Sequence, residues 1–263
     1  MSGRDFQLKV ERFDFSIKSL LALPGKGEVH VWHAATDQCT IDIERLTSIL
    51  SPGEKLRAAR FRFRSHRSQF ILSHVMLRLL IARYLELETD QISFTYGANG
   101  KPGFARGGAE PELQFNLSHT EGLAVCAFAP HQRIGIDVEK VRSDFAMEEI
   151  AERFFSEAER QALCGLPTEE SYYAFFRCWT RKEAYIKAIG DGLSHPLDQF
   201  DVSIAADSAA LISTRPDALE ASRWSIQAVP VPAGYVAALA IETPGDIPRS
   251  NGTLPMRREL TFS

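Results

Sequence analysis

Apolar and polar residues alternate over Val29-His30-Val31-Trp32-His33-Ala34, which predicts a strand. Before it, residues 1–27 are mixed and end in the loop-like Leu23-Pro24-Gly25-Lys26-Gly27. Ser51-Pro52-Gly53-Glu54 opens a helix, with a capping serine and proline in the first turn. Helical spacing then runs from Glu54 to Leu85, with a break near Ser65 and an apolar side made by Phe70, Leu77, Leu80, Ile81 and Tyr84. Strands are predicted at Ile92–Tyr96, Leu113–Leu117, Leu123–Ala129 and Ile134–Glu139, and the glycine- and proline-rich stretch Gly97–Glu112 should be a long loop. Helices are expected at Met147–Phe155 and Ser156–Leu163, the second opened by a Ser156-x-x-Glu159 capping box. A long helix over Glu170–Ile189 stops at Gly190-Asp191-Gly192. Strands follow at Phe200–Ile204, Ala210–Ile212, Trp224–Val229 and Tyr235–Ile241, and the polar tail from Thr243 should fray.

This order predicts an α+β fold of two similar halves related by a pseudo-twofold, each with a long helix packed on a mainly antiparallel sheet. Gly122-Leu123-Ala124-Val125-Cys126-Ala127 echoes Gly234-Tyr235-Val236-Ala237-Ala238-Leu239. The expected division is an N-terminal extension (1–27), a first half (28–133), a second half carrying the metal-binding motifs (134–242) and a flexible tail (243–263).

Composition narrows the class. Of 263 residues, 44% are hydrophobic and 24% charged, which suits a packed core and excludes global disorder. The net charge of −4 gives no general attraction to nucleic acid or anionic membrane, so any polyanion must meet a local basic cluster. Cys39, Cys126, Cys164 and Cys178 lack CxxC spacing, which argues against zinc and dithiol sites. Cys126, in an apolar run, is expected in the core. Met1–Asp14 has no apolar signal-peptide core, and no apolar run matches a membrane span. A reducing, cytoplasmic setting is the natural expectation.

The chemistry lies in three carboxylates. In a strand over Ile134-Gly135-Ile136-Asp137-Val138-Glu139, the isoleucines and Val138 take one face, and Asp137 and Glu139 the other. In the long helix, Trp179, Glu183 and Lys187 stack on one face. Bringing strand and helix together gathers Asp137, Glu139 and Glu183 beside an ammonium group. Such a set suits a hard dication holding a phosphate. Carboxylates on a buried strand need partners in any case. Lys187 is read either as a helix-surface lysine in a routine ion pair or as touching phosphate or an attacking hydroxyl, whereas Lys182 points elsewhere and is expected to be structural. Trp179 reads as core. Phe115-Asn116-Leu117-Ser118-His119-Thr120 either offers donors to a phosphate or forms a hairpin turn. Lys101-Pro102 sits in the glycine-rich loop. Lys55, Arg57, Arg60, Arg62, Arg64, His66 and Arg67 form the strongest local charge, read as a solvated face or as an anion clamp. Helical spacing puts Arg57, Arg60 and Arg64 on one side.

Together these residues resemble a known family. Gly135-Ile136-Asp137-Val138-Glu139 and Trp179-x-x-Lys182-Glu183-Ala184-x-x-Lys187 look like the two signature motifs of the 4′-phosphopantetheinyl transferases. Lys101-Pro102, Asn116-Leu117-Ser118-His119, Arg153-Phe154-Phe155-Ser156-x-x-Glu159 and the Arg60-Phe61 helix also match, over roughly Trp32 to Ile241. The chain is similar to the larger, surfactin-synthetase-activating type, a monomer of two like halves. The resemblance implies transfer of phosphopantetheine from coenzyme A to a serine of an apo acyl carrier protein or peptidyl carrier domain, releasing 3′,5′-ADP. It implies magnesium, or manganese in its place, on Asp137, Glu139 and Glu183. Coenzyme A would meet Arg57, Arg60, Lys101, Pro102, Ser118, His119, Asp137 and Lys187, with His119 at the 3′-phosphate. Glu183, or a magnesium-bound water that it activates, would be the base, with Lys187 the rival.

Two other classes fit less. A metal-dependent nuclease wants an acidic-x-lysine spacing, but Lys140 directly follows Glu139. A nucleic-acid-binding module using the Arg57–Arg67 stretch would show steep salt dependence, yet it leaves the buried carboxylates without a use.

Overall fold

The computed structural model describes residues 6–37, 42–97, 102–104 and 113–243. The first half runs β1 (Gln7–Arg12), β2 (Glu28–Ala35), α1 (Ile43–Thr47), α2 (Pro52–Ala59), α3 (Arg64–Leu85), β3 (Phe94–Tyr96), β4 (Pro102–Phe104), β5 (Leu113–Thr120) and β6 (Leu123–Pro130). The second runs β7 (Ile134–Lys140), α4 (Met147–Phe154), α5 (Glu157–Cys164), α6 (Thr168–Ile189), β8 (Phe200–Val202), β9 (Leu211–Thr214), β10 (Trp224–Ala228) and β11 (Tyr235–Glu242). The class is α+β, as the pattern predicts. One sheet has the order β1-β2-β6-β5 and another β10-β11-β7. Only β1 against β2 is parallel among the paired strands. No helix among the described residues is long and apolar enough to cross a membrane.

Each half lays a 22-residue helix on its sheet. Met76, Leu77, Leu80, Ile81 and Tyr84 of α3 pack with Trp32, Phe115, Cys126 and Phe128. Phe175, Phe176, Cys178, Ala184, Tyr185 and Ala188 of α6 pack with Phe200, Trp224, Ala238 and Ala240. A third core joins the sheets: Val29, Val31, Val125 and Ala127 meet Ile134, Ile136, Val138 and Leu239. The echoed glycines, Gly122 and Gly234, have φ of 84° and 86° and sit in the turns that lead into β6 and β11. Such left-handed backbone favours glycine.

The halves share a subtler device. Ser51 and Ser156 each open a short helix with a complete capping box. In both, the capping glutamate is buried and reaches a buried cation on the long helix. Glu54 meets Arg78 Nε at 2.6 Å and His74 Nδ1 at 3.0 Å. Glu159 meets Lys182 Nζ at 2.8 Å and accepts from the Val202 amide at 2.8 Å. Arg78 lies 14 residues past Arg64 and Lys182 lies 14 past Thr168, so the cations occupy equivalent places in α3 and α6. Lys182 Nζ also donates to the carbonyls of Leu197 and Phe200, at 2.6 and 2.7 Å. Its role is structural, as its place in the helix predicts.

Three local expectations are corrected. The stretch 1–27 carries a strand, β1, whose Leu8 and Val10 cover the rim of the core between the sheets; two apolar residues among charges give little signal. Within the expected loop 97–112, Pro102–Phe104 pairs with Phe94–Tyr96, a strand too short for periodicity. Finally, α2 closes at Ala59 and α3 begins at Arg64 after an extended Phe63. Arg64 therefore does not share a helical face with Arg57 and Arg60. The tail call for 244–263 lies outside the described residues.

Removing one partner of a buried ion pair strands the other charge. Lys182→Met should cost about 3–5 kcal/mol and lower Tm by roughly 10 °C; a melt within about 2 °C of the unaltered protein would contradict it. Burial pushes the Glu54 carboxyl up, but hydrogen bonds from His74 and Ser51 and the Arg78 charge prevail and hold it down at about 2, against an ordinary 4.5. A depressed folded value stabilises above the ordinary range, and that stability is lost as pH falls from 4.5 toward 2. Glu54→Gln should thus cost roughly 3 kcal/mol at pH 7, with the gap more than halved at pH 3. Denaturant titrations at both pH values check this, and a pH-independent gap would refute it.

Candidate active site

The site is built on β7. Its register against β11 pairs Asp137 with Ala238 and Glu139 with Val236. Ile134, Ile136 and Val138 face the core between the sheets. Gly135, Asp137 and Glu139 face α6, as strand alternation requires. A Cβ on Gly135 would lie 2.1 Å from the Ala184 carbonyl oxygen and 2.5 Å from the Ala188 amide nitrogen. The helix backbone therefore presses on the one strand residue without a side chain. That approach carries Glu183 and Lys187 to the carboxylates.

Lys187 Nζ donates to Asp137 Oδ1 at 2.5 Å, to Ser118 Oγ at 3.0 Å and to the Ile136 carbonyl at 3.3 Å. Ser118 Oγ donates to Asp137 Oδ1 at 2.8 Å. Thr120 Oγ1 donates to Glu139 Oε2 at 3.1 Å. Asn116 Oδ1 accepts from the Ile136 amide at 2.9 Å. Asn116, Ser118 and Thr120 alternate on β5, so one polar face of that strand stitches the first half to β7. The polar run is strand, not hairpin turn; the turn comes at Gly122. The sequence marks Asn116 and Thr120 only as members of a donor run or turn, not as partners of β7. Their signal was the period of two, hidden because Asn, Ser and Thr also favour turns.

The electrostatics are those of crowded acids. Burial, with the Asp137 charge beside it, raises the carboxyls of Glu139 and Glu183 to about 7 each. Glu183 adds to the rise at Glu139, and Lys187 opposes it at both. Asp137 is buried, and its Oδ2 has no hydrogen-bond partner. Among the described residues, no group of three or more His, Cys, Asp and Glu side chains is arranged so that it could hold a metal ion. The donors nonetheless suit a hard dication: carboxylate oxygens only, one of them orphaned, and a local excess of negative charge.

The basic residues of the candidate site come from the first half, His119 from β5 and Arg57 from α2. His119 keeps an exposed edge, yet the protein around it and the charges of His74, Lys187 and Arg57 push its imidazole down to about 4. Arg57 stacks over the Phe70 ring at 5.4 Å. Gln69 Nε2 donates to the Thr120 carbonyl and ties α3 to β5. Arg60, at the end of α2, is exposed. Pro102 begins β4, and Lys101 lies outside the described residues. A cavity of about 490 Å³ is lined by Glu54, Arg57, Arg78 and Phe94 among others, and by none of Asp137, Glu139 and Glu183. Trp179 packs among Phe154, Phe155 and Phe175 and belongs to the core.

Comparison with known proteins gives these residues a family. A model described as 4′-phosphopantetheinyl transferase superfamily matches residues 133–240. Another, 4′-phosphopantetheinyl transferase, N-terminal, matches residues 31–131. The 4′-phosphopantetheinyl transferase HetI of Nostoc sp. is 38% identical over 214 residues, covering 81% of this chain and 87% of the relative. The 4′-phosphopantetheinyl transferase Sfp of Bacillus subtilis is 35% identical over 201 residues, covering 76% and 86%. The L-aminoadipate-semialdehyde dehydrogenase-phosphopantetheinyl transferase of Homo sapiens is 29% identical over 232 residues, covering 81% and 75%. The chain belongs to the 4′-phosphopantetheinyl transferase superfamily and is an enzyme of that type. The alternative of a nucleic-acid-binding module is set aside, since the matches support a transferase and nothing in them supports it.

Proposed function

We propose that this enzyme moves the 4′-phosphopantetheine group of coenzyme A to a serine of an apo acyl carrier protein or peptidyl carrier domain. Each half, 28–133 and 134–242, supplies one wall of the site. The single observation that carries the assignment is the contact of Lys187 and Ser118 with Asp137, beside two carboxyls held near neutral pKa. We read the enzyme as a cytoplasmic monomer that uses neither nucleic acid nor membrane.

Asp137, Glu139 and Glu183 would hold magnesium, or manganese in its place. A dication held by these carboxylates would supply charge neutralisation for the diphosphate. Coenzyme A would lie along Arg57, Arg60, Lys101, Pro102, Ser118, His119 and Asp137. Burial first, and then the charges of His74, Lys187 and Arg57, depress the His119 pKa; a 3′-phosphate beside it would oppose them and favour the imidazolium. Lys187 would orient the diphosphate through its ammonium group. The serine oxygen attacks the phosphorus that bears the pantetheine arm. The bond from that phosphorus to the ADP oxygen breaks, and 3′,5′-ADP leaves. The serine proton passes to Glu183 as the general base. Such transfers depend chiefly on positioning and charge stabilisation.

Incubation with coenzyme A, magnesium and a panel of apo carriers should add one phosphopantetheine to at least one carrier, read by intact-protein mass spectrometry. No mass gain on any carrier would overturn the assignment. Glu183→Gln should lower kcat by roughly 10²-fold or more while circular dichroism stays unchanged. Turnover within about threefold of the unaltered enzyme would remove Glu183 from the chemistry.

A further inference from the structure

The transferase assignment uses Arg57 and Arg60 of the basic stretch and leaves the rest without a task. No acidic residue occurs between Lys55 and Leu85. Among the described residues, Arg57, Arg60, Arg62, Arg64 and Arg67 make no ion pair. Apolar side chains break the same surface. Leu56 is 66% exposed, Phe61 36% and Phe63 57%. These are three of the eight large exposed hydrophobics of the described residues, gathered within one short corner. The rings are supported from below and beside. Phe61 leans on buried Phe70 with centroids 5.3 Å apart, and Phe63 stands edge-on to His66 at 5.5 Å. Arg62 stacks over Phe63 at 5.5 Å. Clustered exposed apolar side chains rimmed by one sign of charge mark an interaction surface.

Its position narrows the occupant. Phe61 rests on Phe70, and the neighbouring Gln69 donates to the carbonyl of Thr120, whose hydroxyl donates to Glu139. The corner between α2 and α3 therefore borders the acidic site. A protein acceptor has to rest on a surface beside the site, and free arginines select an acidic one. Aromatics between arginines could also stack single-stranded nucleic acid. The chain's net charge of −4 and the aliphatic Leu56 favour the protein.

We propose, on the basis of the transferase assignment, that the α2–α3 corner docks an acidic, partly apolar face of the carrier protein. Phe61 and Phe63 meet its apolar side chains, and Arg62, Arg64 and Arg67 meet its carboxylates. Docking of this kind acts through encounter rate and salt dependence more than through chemistry.

The test is steady-state kinetics with an apo carrier that the unaltered enzyme modifies. The variant Arg62→Glu/Arg64→Glu/Arg67→Glu should raise the carrier KM by roughly tenfold or more. Its KM for coenzyme A and its kcat at saturating carrier should stay within about twofold. Phe63→Ser, which keeps every charge, should raise the carrier KM several-fold, and thermal melts of both variants should match the unaltered protein because the residues are exposed. Raising salt should increase the carrier KM of the unaltered enzyme more steeply than that of the triple variant. An unchanged carrier KM in both variants would overturn the docking surface while leaving the transferase standing. A matching rise in the coenzyme A KM would overturn it too, by assigning the arginines to the nucleotide. Tighter binding of a single-stranded oligonucleotide than of the carrier, lost in the triple variant, would assign the corner to nucleic acid. Failure of the unaltered enzyme to modify any carrier would overturn the transferase assignment itself, and docking with it.

Discussion

The backbone of α6 rests directly on Gly135, and the rest of the site depends on that approach. Side chains ordinarily separate a helix from the sheet it covers. Here one residue of β7 contributes no side chain, and the Ala184 carbonyl fills the room a methyl would need. The next two residues on that face are Asp137 and Glu139. Glu183 and Lys187 flank the point of contact on the helix, so the close approach decides which groups meet. Burial then makes the meeting costly for like charges, which is why Glu139 and Glu183 hold their protons up to about 7. A cation resolves that cost. Lys187 supplies one charge, and the unpartnered Asp137 Oδ2 is open to another.

Chemistry sits in one half of a frame built twice. In both halves a capping-box glutamate is buried and bonded to a cation at the same place along the long helix. The strands beneath those helices differ. Toward α3, β2 presents His30 and Trp32, which both bond the Tyr84 hydroxyl at 2.8 Å. Toward α6, β7 presents Gly135, Asp137 and Glu139. Similar scaffolding thus supports a His30–Tyr84–Trp32 hydrogen-bond network in the first half and an acidic site in the second. The first half still contributes, because Asn116, Ser118 and Thr120 of β5 bind β7 through side chains.

Much of this was legible in the chain. Long amphipathic helices and runs such as Leu123–Ala129 bury whole faces, and burial is what writes periodicity into a sequence. The acids were legible because alternation and helical spacing each place them on one face. The contacts that join the elements were not. Gly135 reads as a flexible strand residue until the helix above it is known. Thr120 and Asn116 carry turn chemistry in isolation, and only the register of β5 against β6 makes them a polar seam. The arginine face over Arg57, Arg60 and Arg64 failed because a helix was carried across Phe61–Phe63, where the chain becomes extended. Strands β1 and β4, at sheet edges, bury too little to leave a pattern.

The claim that close packing at Gly135 assembles the acids is best tested by Gly135→Ala. Magnesium affinity in the presence of coenzyme A, measured by calorimetry on the folded variant, should fall by roughly tenfold or more, since a 1 Å displacement of positioned groups is enough for such losses. A variant that folds and binds magnesium as tightly as the unaltered enzyme would contradict the account.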